Sequence, residues 1–125
     1  EQAFILLFEK SFNPETEISE LYETAVENEI ISESEFSKTL ADKVTENVAD
    51  IDAVIEKYSV KWKINRISKV ALAVMRLAIC EMKYFDDIPV GVSINEAVEL
   101  AKAYCEDKAP GFINGVLNNI AKGIA

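Results

Sequence analysis

Lys108 and Phe112 stand about one helical turn apart at the start of the last apolar-periodic segment of this 125-residue chain. An accessible ring can stack on a base of a single strand, worth about 1–3 kcal/mol, and an ammonium can neutralise a phosphate. On pattern alone Phe112, beside Pro110 and Gly111, reads first as a core staple and only second as a stacking surface. The densest basic run, Lys61, Lys63, Arg66 and Lys69, flanks the single tryptophan, Trp62. It reads as a phosphate-contacting patch or, more simply, as a solvated helix start with Trp62 packed inward. Arg76 lies in an apolar run, where an unpaired buried charge would cost several kcal/mol. A structural pairing with a carboxylate such as Glu96 is therefore expected, rather than a contact role.

Catalytic chemistry is hard to assemble from these residue types. The chain has no histidine, which removes Ser-His and Cys-His pairings. Its four glycines, at 91, 111, 115 and 123, lack phosphate-loop or dinucleotide spacing. Carboxylates are plentiful but fall on solvated helix faces or near helix starts, where capping accounts for them. Cys80 and Cys105 fall on apolar faces and form no C-x-x-C pair. They read as buried reduced thiols, which fits a reducing cytoplasm. No metal site, no cofactor and no enzymatic activity are expected.

The net charge of −9 looks wrong for a polyanion binder, but it is unevenly spread. Residues 1–58 hold 15 acidic and 4 basic side chains, whereas residues 59–125 hold 7 acidic and 9 basic. Any polyanion contact is expected in the second half or on residues preceding Glu1. No apolar run approaches the roughly 20 residues needed to span a bilayer, and Glu1-Gln2-Ala3-Phe4 has no basic n-region of a signal peptide. The absent initiator methionine leads us to expect residues before Glu1.

The elements that must position these groups all read as helix. Gln2 to Phe12 is apolar on most sides and predicts a buried first helix, ended by Asn13, with Pro14 placed to open the next helical segment. Ile18, Leu21, Tyr22, Ala25, Val26 and Ile30 mark a second. Ser32 with Glu35 predicts a capping box for a third, carrying Phe36, Leu40, Val44 and Val48. Asp50 or Asp52 is expected to cap a short fourth with Val54, Ile55 and Tyr58. From near Arg66, the unbroken apolar run Val70 to Met75, extended by Leu77 to Cys80 and Met82, predicts a central helix buried nearly all round. Ser93 with Glu96 predicts a capping box for the next helix, and residues 112, 113, 116, 117, 120 and 121 define the last. No alternating strand pattern competes. The chain therefore reads as one all-α domain of about seven helices. Val70, Val74, Leu77, Ala78, Val98, Ala101, Val116, Leu117 and Ile120 are expected in its core.

Inside the last helix, Asn114 and Gly115 stand where each costs from several tenths to about 1 kcal/mol relative to alanine. They read as structural: a polar contact for Asn114, and a close helix approach permitted by Gly115.

The C-terminal third, Ser93-Ile94-Asn95-Glu96-Ala97-Val98-Glu99-Leu100-Ala101-Lys102 and then Phe112-Ile113-Asn114-Gly115-Val116-Leu117, resembles the NusB family of bacterial transcription antitermination factors. Trp62 to Glu81 and the loop Asp87-Ile88-Pro89 resemble its other blocks, so ordered similarity covers about half the chain. Residues 13–58 match only in helical pattern. The resemblance implies two roughly perpendicular three-helix bundles, about 1–60 and 61–125. It further implies non-catalytic binding of boxA RNA together with the ribosomal protein NusE, in an RNA polymerase antitermination complex serving ribosomal RNA operons. DNA-specific binding is not expected. By this resemblance Phe112 lies at the RNA surface, with Lys108 beside it.

Three departures accompany the resemblance. The family's Arg-rich opening of the first helix has no counterpart after Glu1. The acidic and basic residues usual after the valine matching Val70 are here Ala71 and Leu72, on what the family implies is the ribosomal-protein side. Lys108 replaces a usual acid, and Gly111 a usual base. Two alternatives remain open from sequence. One is the NusB-like RNA-binding domain of an RNA cytosine methyltransferase, which requires a following catalytic domain. The other is a helical protein-interaction module without RNA.

Overall fold

A computed structural model describes residues 1–59 and 63–124. Among these, seven α-helices and one short 3-10 turn occur, and no strand. Helix α1 (Gln2–Phe12) has the bounds its apolar run predicts and buries Ala3, Phe4, Leu6 and Leu7. Pro14, however, does not open the second helix. It lies in a turn, its carbonyl accepting from Lys10 Nζ at 2.8 Å, and α2 (Ile18–Glu27) starts only after that turn.

Helix α3 (Glu35–Glu46) is capped by Ser34, whose Oγ accepts from the Ser37 N–H at 3.2 Å. The cap is thus not the expected Ser32. The Ser32 N–H donates instead to Gln2 Oε1 at 2.7 Å, which fixes that residue against α1 before the helix begins. Asn47 ends α3 and also precedes α4 (Val48–Tyr58), so Asp50 and Asp52 fall inside α4 and cap nothing. After a 3-10 turn (Ile64–Arg66), α5 (Lys69–Tyr84) starts at Ser68, whose Oγ accepts from the Ala71 N–H at 3.2 Å. Helix α6 (Val90–Tyr104) begins behind Pro89, earlier than the Ser93–Glu96 pattern suggests. Ser93 is therefore a buried mid-helix residue rather than a cap. Helix α7 (Ala109–Ile124) carries Pro110 in its first turn, where a missing N–H costs no helical bond.

Helices α1, α2 and α3 pack on one another, as do α5, α6 and α7. Helix α5 is the shared element, touching α1, α3 and α4 as well as α6 and α7. That explains its composition, because a helix with neighbours on most sides has no face to leave polar. Seven of the nine expected core residues are buried, while Val70 and Val98 are half-buried against the core. Phe4, on α1, is 2 % exposed and meets the ring of Tyr104, at the end of α6, with centroids 5.1 Å apart. Full burial of such a side chain contributes about 1.5–3 kcal/mol.

The residues expected to be structural divide. Arg76 is paired, but with Asp52 on α4 and not with Glu96: its Nε donates to Asp52 Oδ1 at 2.8 Å and its Nη2 to Oδ2 at 2.9 Å. Glu96 is exposed. Arg76 thus faces α4, while α6 covers another side of α5. Asn114 does take a polar contact, since Asn118 Nδ2 donates to its carbonyl at 2.8 Å and to its Oδ1 at 3.0 Å. Gly115 overturns the close-approach reading. It is exposed, and a Cβ built there would meet no atom within 4 Å.

Candidate nucleic-acid interface

Lys108 and Phe112 do lie together, and the fold brings the start of α5 to meet them. An open groove of about 690 Å³ is lined by Arg66, Ser68, Ala71, Lys108 and Phe112, among others. Each side chain arrives by a local cause. The Ser68 cap fixes where α5 starts and leaves Arg66 just outside it, exposed. Pro110 sets the first turn of α7, in which the Phe112 N–H donates to the Lys108 carbonyl at 3.3 Å. That bond projects Phe112 from the first turn. The ring is half-buried: one part packs against the core while the rest borders the groove. Staple and surface, the two readings of Phe112, are thus parts of one placement.

The electrostatics of the groove oppose those of the whole chain. Two helix N-termini converge on it, and neither first turn carries an acidic residue. The positive ends of both helix dipoles favour an anion there. Arg66 and Lys108 add two exposed cationic side chains. Among the described residues, Glu106 is the only acid on the lining. A half-buried aromatic ring beside two cations and two helix starts can hold a phosphate and stack a base simultaneously.

The other basic residues go elsewhere. Lys69 turns toward the end of α1, donating to the Ser11 carbonyl at 3.3 Å and lying over the Phe12 ring at 5.5 Å. Lys61 and Trp62 lie outside the described residues. Arg66 belongs to the basic run in sequence, but nothing in the run indicates that it faces Phe112. Ala71 is buried at the groove wall, and Leu72 is half-buried against the core.

A smaller notch between α5 and α6 is lined by Glu81, Ser93 and Glu96. Burial raises the Glu81 carboxyl above the usual range; the Ser93 hydroxyl opposes this, and Glu96 adds to it. The Ser93 hydroxyl itself makes no hydrogen bond of good geometry. Cys80 is buried and Cys105 half-buried, both as free thiols. Among the described residues no group of three histidine, cysteine or carboxylate side chains is placed to hold a metal ion. No helix among them is long and apolar enough to cross a membrane.

Comparison with known proteins agrees with this architecture over its whole length. The transcription antitermination protein NusB of Natranaerobius thermophilus is 43% identical over 125 residues, covering 97% of this chain and 90% of that protein. The protein of the same name from Agathobacter rectalis is 42% identical, covering 97% and 95%. Among solved structures, NusB of T. maritima superposes with a TM-score of 0.84 at 34% identity, covering 97% of this chain and 86% of that one. A NusB chain crystallised with NusE and double-stranded RNA gives a TM-score of 0.86 at 30% identity, covering 98% and 92%. The NusB family model matches residues 1–122. Matched over residues 1–122 and at 43% identity over nearly its whole length, the chain belongs to the NusB family.

Proposed function

We propose that this protein is a non-catalytic transcription antitermination factor. It holds boxA-type single-stranded RNA together with NusE as part of an RNA polymerase complex, in the cytoplasm, on ribosomal RNA operons. The observation that carries the reading is the convergence of Arg66, Lys108 and Phe112 on one groove at two helix starts. In a chain of net charge −9, that groove is where a polyanion finds cations with little opposing charge. Phosphate contacts from Arg66 and Lys108 position the strand, and stacking on Phe112 holds an unpaired base.

The test is binding of a labelled boxA RNA and of a base-scrambled RNA of equal length, across salt, with and without NusE. Phe112→Ala is expected to weaken boxA binding by about 1–3 kcal/mol. Lys108→Ala and Arg66→Ala each weaken both RNAs alike and lower the salt slope by about one ion. Unchanged affinity in all three variants places the RNA elsewhere.

A further inference from the structure

We propose that the groove between α6 and α7, lined by Asn95, Asn114 and Asn118, reads the base edges of the nucleotides next to the one held at Phe112. The inference rests on the RNA reading above and adds to it a source of sequence preference. This second groove, about 470 Å³, is also bordered by Gly91, Pro110 and Gly111, and among the described residues no ionisable side chain lines it. Gly111 borders both grooves, so the two adjoin at the first turn of α7. A Cβ built at Gly111 would meet nothing within 4 Å, so no side chain crowds the point where the grooves meet.

The chemistry of the lining selects the part of the strand it suits. Without a cation, the groove offers a phosphate little. A carboxamide presents a donor and an acceptor together, the pattern that matches a base edge. Two of the three are already oriented. Asn118 donates from Nδ2 to both the carbonyl and the Oδ1 of Asn114, which leaves Asn114 Nδ2 as an outward donor and Asn118 Oδ1 as an outward acceptor. All three asparagines are exposed, on a chain where helix propensity favours almost any other polar residue at these positions. A strand whose phosphate is anchored by Lys108 and Arg66 thus has its next bases directed over Gly111 toward donors and acceptors held in place.

The experiment compares boxA RNA with a base-scrambled RNA of equal length, in equilibrium titrations of the full chain and of Asn95→Ala/Asn114→Ala. Both changes sit on exposed helix faces, and circular dichroism confirms that the variant is folded. The expected result is a loss of about tenfold in boxA affinity with little change for the scrambled RNA, so that the ratio between the two falls toward unity. Phe112→Ala, run in parallel, lowers both. If Phe112→Ala weakens binding while the asparagine variant retains the full ratio, the base-reading role is overturned and the RNA groove stands. If the unaltered protein binds both RNAs equally, or binds neither, the base-reading role is overturned as well. A variant that keeps its RNA ratio but loses NusE assigns the groove to protein and also overturns it.

Discussion

The guanidinium of Arg76 grips both carboxylate oxygens of Asp52, at 2.8 and 2.9 Å, and so ties the middle of α5 to α4. The two side chains are 24% and 27% exposed, so the pair is screened only in part. Two parallel charged hydrogen bonds fix the angle as well as the distance between the helices. Asp52→Ala is expected to cost about 1–3 kcal/mol in urea denaturation, because it leaves the guanidinium partly buried without a partner. Glu96→Ala, at the exposed residue that does not pair with it, should change stability by no more than about 0.5 kcal/mol.

Two glycines of α7 predict opposite responses to the same substitution. Gly115→Ala adds a methyl group into open space and removes backbone freedom from the unfolded chain, so it should stabilise by about 0.5–1 kcal/mol. At Gly123 the added Cβ would overlap the hydroxyl of Tyr58, so Gly123→Ala must displace that ring and should destabilise. Thermal melting of the two variants side by side checks both signs.

Burial pushes the Cys80 thiol up to about 12, from a starting value of 9.0. The unfolded chain ionises this thiol first, so the folded state is favoured fully below pH 9.0 and loses that advantage as pH rises toward 12. In that window the Cys80 contribution to unfolding free energy should fall by up to about 1.4 kcal/mol per pH unit. Cys80→Ala should remove this part of the slope. At neutral pH, Cys105, only half-buried, should react with a thiol reagent before Cys80 does.

The Glu81 carboxyl is raised chiefly by burial, so folding favours its protonated form. Its contribution to stability is present at acid pH and is lost as pH rises through the folded value. Glu81→Gln should therefore raise the melting temperature at pH 7 and change it less at low pH. Melting curves at two pH values decide.

The helices are legible from apolar spacing because each buries one stripe, and the nearly continuous run of α5 correctly announces a helix with neighbours all round. Caps are less legible. Ser32 and Ser34 are equally good capping residues in sequence, and only the bond from Ser32 to Gln2, far away in the chain, decides between them. The exposure of Gly115 has a signal in the sequence that the close-approach reading overlooks. Gly111, Asn114, Gly115 and Asn118 fall on the face opposite Ile113, Val116, Leu117 and Ile120, and such a face points to solvent. The partners of Arg76 and Arg66 are not legible at all, since both depend on how helices distant in sequence are laid together.

The ring contact between Phe4 and Tyr104 has a consequence for synthesis. Phe4 meets Phe8 on its own helix as soon as α1 is made, yet the Tyr104 ring that also covers it arrives only with the end of α6. Helix α5, another of the principal neighbours of α1, is also made in the second half of the chain. Until then the apolar face of α1 has only α2 and α3 to hide it. A nascent chain stalled before α5 should therefore display a sticky leading helix, to be bound by a chaperone or by another stalled chain.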